Sequence, residues 1–201
     1  MKKILAISFA LIGWFAVIIQ FVLMIENRVA PISETIIRFF SFFTILTNML
    51  VAIYFTCIVF IKNQKKSINR PGFLTAITIY IVMVGAVYQI ALRHVWHPQG
   101  LQIVVDELLH TFIPMFVIIF WWMYEPTKTV KYSQIIKWAI YPLAYLIYIL
   151  VRGSFSNFYP YPFIDVTNLG MAKALINSTI LLLLFLIISV LVLFVGKSIK
   201  T

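Results

Sequence analysis

Asp106-Glu107-Leu108-Leu109-His110-Thr111-Phe112-Ile113-Pro114 opens an apolar segment that continues to Tyr124. The whole segment is long and apolar enough to cross a bilayer as one helix. Two carboxylates, an imidazole and a hydroxyl therefore stand at its head. Ionisable side chains inside a membrane helix are costly, by about 3 kcal/mol each at the helix centre, so their presence favours a functional site. We predict that His110 is one half of a reactive pair whose partner lies on another helix.

The composition supports a membrane protein throughout the chain. Hydrophobic residues make up 63% of the sequence and charged residues only 11%, and the mean hydropathy is +1.02. A soluble domain of this length has no core large enough to hide so much apolar surface. The net charge of +10 comes from basic residues in short loops, without the basic stripe that nucleic-acid binding needs. We therefore expect these charges to set membrane topology and expect no nucleic-acid partner.

Six apolar segments account for nearly the whole chain. A membrane-spanning helix needs about 20 residues at 1.5 Å rise per residue. The sequence predicts spans over residues 4–25, 36–61, 73–92, 103–124, 135–151 and 171–195. The first follows Lys2 and Lys3 as a signal peptide would, but it is too long for a cleavable one and should stay as an anchor. We predict an all-α integral membrane protein with one six-span domain over residues 1–201.

The basic residues are distributed unequally between the two sets of loops. Eleven of the sixteen lie at the termini and in the second and fourth connections: Lys2, Lys3, Lys62, Lys65, Lys66, Arg70, Lys128, Lys131, Lys137, Lys197 and Lys200. The other five are Arg28, Arg38, Arg93, Arg152 and Lys173. Because Lys and Arg accumulate on the cytoplasmic side, this bias predicts that both termini are cytoplasmic in a multi-pass protein of the plasma (inner) membrane.

Polar residues gather in the outer halves of the predicted spans. Thr44 lies about 12 Å below the outer boundary of the second span at helical rise, and His110 lies at nearly the same depth on the fourth. The other polar residues of this zone include Arg38, Thr47, Asn48, Asp106, Glu107, Arg152 and Asn177. The inner halves are mostly aliphatic and aromatic. This asymmetry predicts a polar pocket in the outer half of the bundle, closed on the inner side by apolar packing.

Two carboxylates can orient His110 from its own helix. Asp106 is four residues upstream and Glu107 three, so either can reach the imidazole. A carboxylate that holds one ring nitrogen leaves the other free to act as a base. The alternative interpretation is structural, with both carboxylates paired to arginines such as Arg38, Arg93 or Arg152. The sequence leaves open which carboxylate is the orienting group.

Short motifs in the same region resemble a known family. Leu109-His110-Thr111-Phe112-Ile113-Pro114 resembles the Met-His-Thr and Pro signature of the androgen-induced and androgen-dependent TFPI-regulating membrane proteins. Phe42-Phe43-Thr44-Ile45-Leu46-Thr47-Asn48 is similar to the Phe-Leu-Thr-Phe-x-Asn segment of that family. The loop containing Tyr159-Pro160-Tyr161-Pro162-Phe163 resembles the loop before the last span, above all in a bacterial branch of six-span proteins.

The resemblance implies a reaction class. The eukaryotic members of the family are intramembrane threonine hydrolases that cleave fatty acid esters of hydroxy fatty acids with one Thr and one His. The histidine falls on His110 and the threonine on Thr44, although alignment on Asn48 shifts the choice to Thr47. Asp106 and Glu107 stand near the places of an asparagine and a histidine of the family.

On this interpretation His110 activates Thr44 to attack a lipid ester, and the partners are the ester substrate and membrane lipids. An oxyanion donor is expected from Asn48 or Asn177, and a substrate carboxylate is expected to pair with Arg38 or Arg152. A non-enzymatic protein that binds or transports a lipid or solute would use the same pocket.

Cofactor chemistry is not expected. The histidines His94, His97 and His110 are separated by a loop that contains Pro98 and Gly100, so we do not expect them to form one metal site. Cys57 is the only cysteine, which excludes an internal disulfide or a cysteine cluster. The sequence contains no phosphate-binding loop, dinucleotide fingerprint, serine-hydrolase elbow or zinc-protease helix.

Overall fold

The computed structural model describes residues 1–61 and 70–199, and within this part the regular secondary structure is entirely helical. Six helical segments are long and apolar enough to cross a membrane: Lys2–Glu26, Phe43–Phe60, Phe73–Leu92, Leu101–Tyr124, Gln134–Ser156 and Met171–Ser198. The predicted all-α architecture with six spans is therefore confirmed. Of the basic residues used for the topology prediction, Lys62, Lys65, Lys66 and Lys200 lie outside the described residues.

Individual helices are shorter than the spans because several spans contain a break or a change of pitch. The α-helices are α1 (Lys2–Glu26), α2 (Ile32–Phe39), α3 (Phe43–Phe60), α4 (Phe73–Val87), α5 (Leu101–Glu107), α6 (Ile113–Tyr124), α7 (Gln134–Trp138), α8 (Ile140–Ser156), α9 (Val166–Leu169) and α10 (Met171–Ile199). Short 3₁₀ turns lie at Thr127–Thr129 and Pro162–Ile164.

Contacts between loops show that the spans run up and down. At one end, the Gly72 backbone N–H donates to the Glu125 carboxylate at 2.6 Å, and the Thr127 hydroxyl donates to the Gly196 carbonyl. The second and fourth connections and the end of α10 therefore meet there. At the other end, residues of the first, third and fifth connections line one cavity. Alternate connections thus share an end, as the hydropathy pattern requires.

Close packing between α1 and α3 forms one side of the bundle. Ala6, Ala10, Gly13 and Ala16 are buried along one stripe of α1. A Cβ added to Gly13 would lie 3.1 Å from the Cβ of Ala52 on α3. Small residues of this kind let two membrane helices approach closely and gain packing contacts.

The second predicted span, residues 36–61, is wrong as a single helix. α2 ends at Phe39 and α3 begins at Phe43, with Phe42 in extended conformation (φ −84°, ψ 124°). Side chains from the fifth span satisfy the freed backbone, since the Tyr145 hydroxyl donates to the Ser41 carbonyl at 2.8 Å. A break at membrane depth is stable only when protein groups make such bonds. Thr44 therefore lies in the first turn of α3 and not deep inside a continuous helix.

Two π-helical turns interrupt the third and fourth spans. They cover Tyr88–Leu92 and Leu108–Phe112, and the rings of Tyr88 and His110 stack across them with centroids 4.0 Å apart. Gly85 makes the approach feasible, because a Cβ there would lie 3.0 Å from the His110 carbonyl oxygen. Single π turns within α-helices are frequent at functional sites.

Candidate functional site

A cavity of about 700 Å³ lies at the end of the bundle where the first, third and fifth connections meet. This size is within the range of small-ligand sites. Its walls are largely apolar, and a small set of polar side chains faces it. These include Gln20, Arg38, Thr44, Tyr88, Gln102, Asp106, His110 and Tyr161. The cavity thus brings together Thr44 and His110, which come from different spans.

His110 is held by Asp106, one helical turn upstream. Its Nδ1 lies 2.9 Å from the Asp106 carbonyl oxygen and 3.3 Å from the Asp106 Oδ1. A carbonyl oxygen can only accept, so Nδ1 carries the proton and Nε2 is the basic nitrogen. The Tyr88 hydroxyl donates to the other Asp106 oxygen. Asp106 is 5% exposed, so this chain of bonds fixes the imidazole from a shielded position.

Glu107 is turned away from His110 and bonds to other groups. Its carboxylate pairs with the Arg93 guanidinium and accepts a hydrogen bond from the Thr111 hydroxyl at 2.7 Å. The choice that the sequence left open therefore falls on Asp106 as the orienting carboxylate. The predicted structural ion pairs exist in part, since Glu107 pairs with Arg93, whereas Arg38 and Arg152 pair with Glu34 instead.

Thr44 is held at the start of α3 by a tyrosine from the fifth connection. The Thr44 backbone N–H donates to the Tyr161 hydroxyl at 3.1 Å, and the Thr44 Oγ1 lies 3.2 Å from the same oxygen. Burial raises the pKa of Tyr161, which keeps the phenol neutral and able to donate. Sequence reasoning did not select Tyr161 as a site residue. Its only signal was the Tyr-Pro-Tyr-Pro-Phe motif that contains it.

Thr47, Asn48 and Asn177 do not line this cavity. The Thr47 hydroxyl lies 3.2 Å from the Tyr141 hydroxyl inside the bundle. The Asn48 amide donates to the carbonyl oxygens of Thr44 at 2.9 Å and Leu109 at 3.3 Å, which uses both of its N–H groups. The Asn177 amide donates to the Phe163 carbonyl. Neither asparagine is thus placed to meet an oxyanion in the cavity, and Asn48 instead ties α3 to the π turn of His110.

Arg38 faces the cavity, as does Arg28 of the first connection. Its Nε donates to Glu34 at 2.8 Å, and its guanidinium lies 4.4 Å from the centre of the Phe158 ring. Arg152 lies behind it and is occupied by Glu34, Ser156 and the Phe158 carbonyl. Of the two arginines predicted to meet a substrate carboxylate, the structure therefore brings only Arg38 to the cavity.

Acid should weaken the ion pairs that Glu34 makes with Arg38 and Arg152. The hydrogen bond from Arg38, aided by Arg152, holds the pKa of Glu34 below its ordinary value of 4.5. Because the folded-state pKa is lowered, the stabilisation is fully present above pH 4.5 and is lost as the pH falls through the folded-state pKa. We expect the Tm in detergent to fall over this acidic range, and to fall less in Glu34→Gln. Equal acid sensitivity of the two proteins, measured by thermal unfolding, would contradict this assignment.

Two further observations limit what the residues of the cavity can do chemically. Within residues 1–61 and 70–199, no hydrogen bond joins the Thr44 hydroxyl to His110. In the same residues no three His, Cys, Asp or Glu side chains are grouped so that they could hold a metal ion. The arrangement therefore offers a hydroxyl and an oriented imidazole on the walls of one cavity.

The fold and the cavity define a class, a multi-pass helical membrane protein whose bundle has at one end a largely apolar cavity with a few polar side chains. Comparison with protein-family models, with curated proteins and with solved structures gives no match.

Proposed function

We propose that this protein is an intramembrane lipid-ester hydrolase in which Thr44 is the nucleophile and His110 the general base. The observation that carries the proposal is that both residues line one cavity of about 700 Å³, with the Nδ1 of His110 fixed by Asp106. A nucleophile, a base and a group that orients the base are the three parts of this chemistry. Catalytic hydrogen bonds are often absent before substrate binds, so the open arrangement of Thr44 and His110 is compatible with this role.

The first half of the reaction forms an acyl-enzyme. His110 Nε2 takes the proton of the Thr44 hydroxyl while Oγ1 attacks the ester carbonyl carbon, which gives a tetrahedral oxyanion. As the intermediate collapses, the bond from carbon to the alcohol oxygen breaks. The protonated His110 returns the proton to this leaving oxygen. The alcohol departs, and the acyl group stays on Thr44.

The second half releases the acid. His110 takes a proton from a water molecule, whose oxygen attacks the acyl-threonine carbonyl. The bond from carbon to Oγ1 then breaks, and the proton returns from His110 to Thr44. Asp106 stabilises the imidazolium in both halves, because its carboxylate lies 3.3 Å from Nδ1.

Oxyanion stabilisation is assigned to a group beside Thr44. The Thr44 backbone N–H and the Tyr161 hydroxyl lie within 3.1 Å of each other, at the start of α3. Helix N-termini favour negative charge. We assign the developing oxyanion to the Tyr161 hydroxyl, which accepts from the Thr44 N–H and keeps its own proton to donate, whereas the asparagine amides already donate to carbonyl oxygens.

The walls of the cavity support a lipid ester as the substrate. Most of the lining is apolar, and Arg38 supplies a guanidinium near the connections. A fatty acid ester of a hydroxy fatty acid matches this pattern, with its free carboxylate on Arg38 and its chains on apolar surface. We place the cavity in the outer leaflet of the plasma membrane with both termini cytoplasmic, following the distribution of Lys and Arg.

The direct test uses purified protein in detergent. We expect hydrolysis of a long-chain p-nitrophenyl ester and covalent labelling by an alkyl fluorophosphonate, with the label on the peptide that contains Thr44. Detergent micelles without protein and heat-treated protein serve as controls. Absence of both hydrolysis and labelling in folded protein would contradict the proposal.

Asp106→Asn, compared with Glu107→Gln, tests which of the two carboxylates orients His110. The variant keeps the backbone carbonyl that accepts from Nδ1 but loses the carboxylate charge that stabilises the imidazolium, so we expect a loss of about 10²-fold in kcat, the lower end of the range for a general base. Glu107→Gln is the matched control, because this carboxylate bonds Arg93 and Thr111, and it should keep activity within a few-fold. Steady-state hydrolysis by both variants is the measurement. A larger loss in Glu107→Gln than in Asp106→Asn would refute the assignment.

A second candidate function is lipid binding or transport. It is favoured by the size of the cavity and by the absence of a Thr44–His110 hydrogen bond among the described residues. A protein of this kind would retain a lipid during purification but would not react with the fluorophosphonate. Mass spectrometry of the purified protein, with and without the probe, distinguishes the two functions.

A further inference from the structure

A second, smaller cavity of about 110 Å³ adjoins the candidate site. We call it the alkyl pocket. It lies between α4, α8 and α10, and its apolar walls include Val84, Val87, Leu146, Leu182 and Phe185. Thr44 and Tyr161 line the alkyl pocket as well as the large cavity. The proposed nucleophile therefore stands at the boundary of two spaces.

The hydroxyl groups of the alkyl pocket are already bonded. Tyr145 donates to the Ser41 carbonyl at 2.8 Å, and Ser178 donates to the Ala174 carbonyl at 2.7 Å. Thr44 and Tyr161 contact each other. A polar ligand would therefore lose its hydrogen bonds to water on entering and gain few in return. An apolar cavity of comparable size, about 150 Å³, stays dry and takes up small hydrocarbons.

We propose that the alkyl pocket binds the part of the acyl chain next to the ester carbonyl, while the alcohol portion of the substrate occupies the large cavity. This inference rests on the proposed function and adds the direction in which the ester lies. The acyl carbonyl would sit at Thr44, its chain would lead between α4 and α10, and the departing alcohol would remain on the side of Arg38. The substrate class is then an ester with two separate arms.

Leu182 tests the pocket, and Leu183 is its matched control. Leu182 lines the alkyl pocket, whereas its neighbour Leu183 is 54% exposed on the outside of α10. In Leu182→Trp we expect the kcat/KM for p-nitrophenyl octanoate to fall relative to that for p-nitrophenyl acetate, by about tenfold for each methylene excluded. Leu183→Trp should leave the ratio unchanged. Leu182→Ala enlarges the pocket and should raise the ratio, which covers the case in which the Trp variant does not fold.

A binding measurement separates this inference from the reaction. A fatty acid with a diazirine in its alkyl chain is photolysed with the purified protein, and the labelled peptides are mapped. We expect labels on α4 and α10 peptides that line the alkyl pocket, lost in Leu182→Trp and kept in Leu183→Trp.

Failure of the proposed reaction and failure of the alkyl-pocket inference give different results. Labelling in the pocket without ester hydrolysis by the wild type would overturn the proposed reaction and leave an alkyl-binding pocket. Hydrolysis whose chain-length ratio is the same in all three variants, with labels confined to the large cavity, would overturn the pocket and leave the reaction.

Discussion

Thr44→Ala is expected to abolish both ester hydrolysis and labelling by the fluorophosphonate. Removal of the hydroxyl leaves no atom to form the acyl-enzyme, so the loss should exceed the 10²- to 10⁴-fold typical of a missing general base. His110→Ala should lose about 10²- to 10⁴-fold in kcat by the same principle. Initial rates with a long-chain p-nitrophenyl ester measure both losses, and gel fluorescence reports the labelling.

Thr47→Ala is the control for this experiment. It removes a hydroxyl one turn further along α3, which lies 3.2 Å from the Tyr141 hydroxyl and is fully buried. Alignment of the family motif on Asn48 selects Thr47 instead of Thr44, so comparison of the two variants also decides which threonine is the nucleophile. We expect Thr47→Ala to keep labelling and most activity. Loss of labelling in Thr47→Ala with retention in Thr44→Ala would exchange the two roles.

Gly153→Ala should produce the largest change in stability. Gly153 lies in α8, and a Cβ there would lie 2.1 Å from the Cε1 of Tyr159, far inside van der Waals contact. Overpacking of this kind costs about 1–3 kcal/mol and displaces the neighbouring chain. Tyr159 is two residues from Tyr161, which holds Thr44. We therefore expect a lower Tm together with slower fluorophosphonate labelling.

Ser154→Ala is the matched control for Gly153→Ala. Its hydroxyl is exposed and donates to the Val151 carbonyl within α8, so its loss should change the Tm little. Thermal unfolding in the same detergent measures both variants. A Tm for Gly153→Ala equal to that of Ser154→Ala would show that the Tyr159 ring moves aside at no cost.

The sequence predicted the architecture because hydropathy acts over a whole segment. A run of about 20 apolar residues can satisfy its backbone in a membrane only as a helix, so six such runs predict six spans. The ends of the third span match the prediction, 73–92, and those of the fourth differ by two residues at one end. The antiparallel order follows from the short connections.

The break before α3 could not be predicted from residues 36–61. Neither Pro nor Gly occurs among residues 40–42, and the sequence there continues apolar. The break is stabilised from elsewhere in the chain, by Tyr145 and Tyr161 of the fifth span and the fifth connection. Hydrogen bonds from residues distant in the sequence can break a helix that the local hydropathy predicts to be continuous. They cannot be read from the sequence of residues 36–61 itself.

The site was predicted in part. Depth counting placed Thr44 and His110 together, and the cavity contains both. The count assumed a continuous second helix, so the agreement comes from the position of both residues near the same end of the bundle and not from the assumed register. Spacing alone could not choose between Asp106 and Glu107, because both reach one helix face. Arg93, from the preceding connection, engages Glu107, and Asp106 remains with His110.

The two π turns make the length of these spans as important as their composition. Each accommodates a residue more than an α-helix would need for the same number of turns. Deleting one residue at either turn would still leave a segment long enough to cross the bilayer. It would convert the π turn into an ordinary α turn and turn the side chains inside it by up to about 100°, the angle per residue of an α-helix, while the rest of the span keeps its place. The shortened protein could still insert in a membrane, but the Tyr88 and His110 rings would no longer stack on each other.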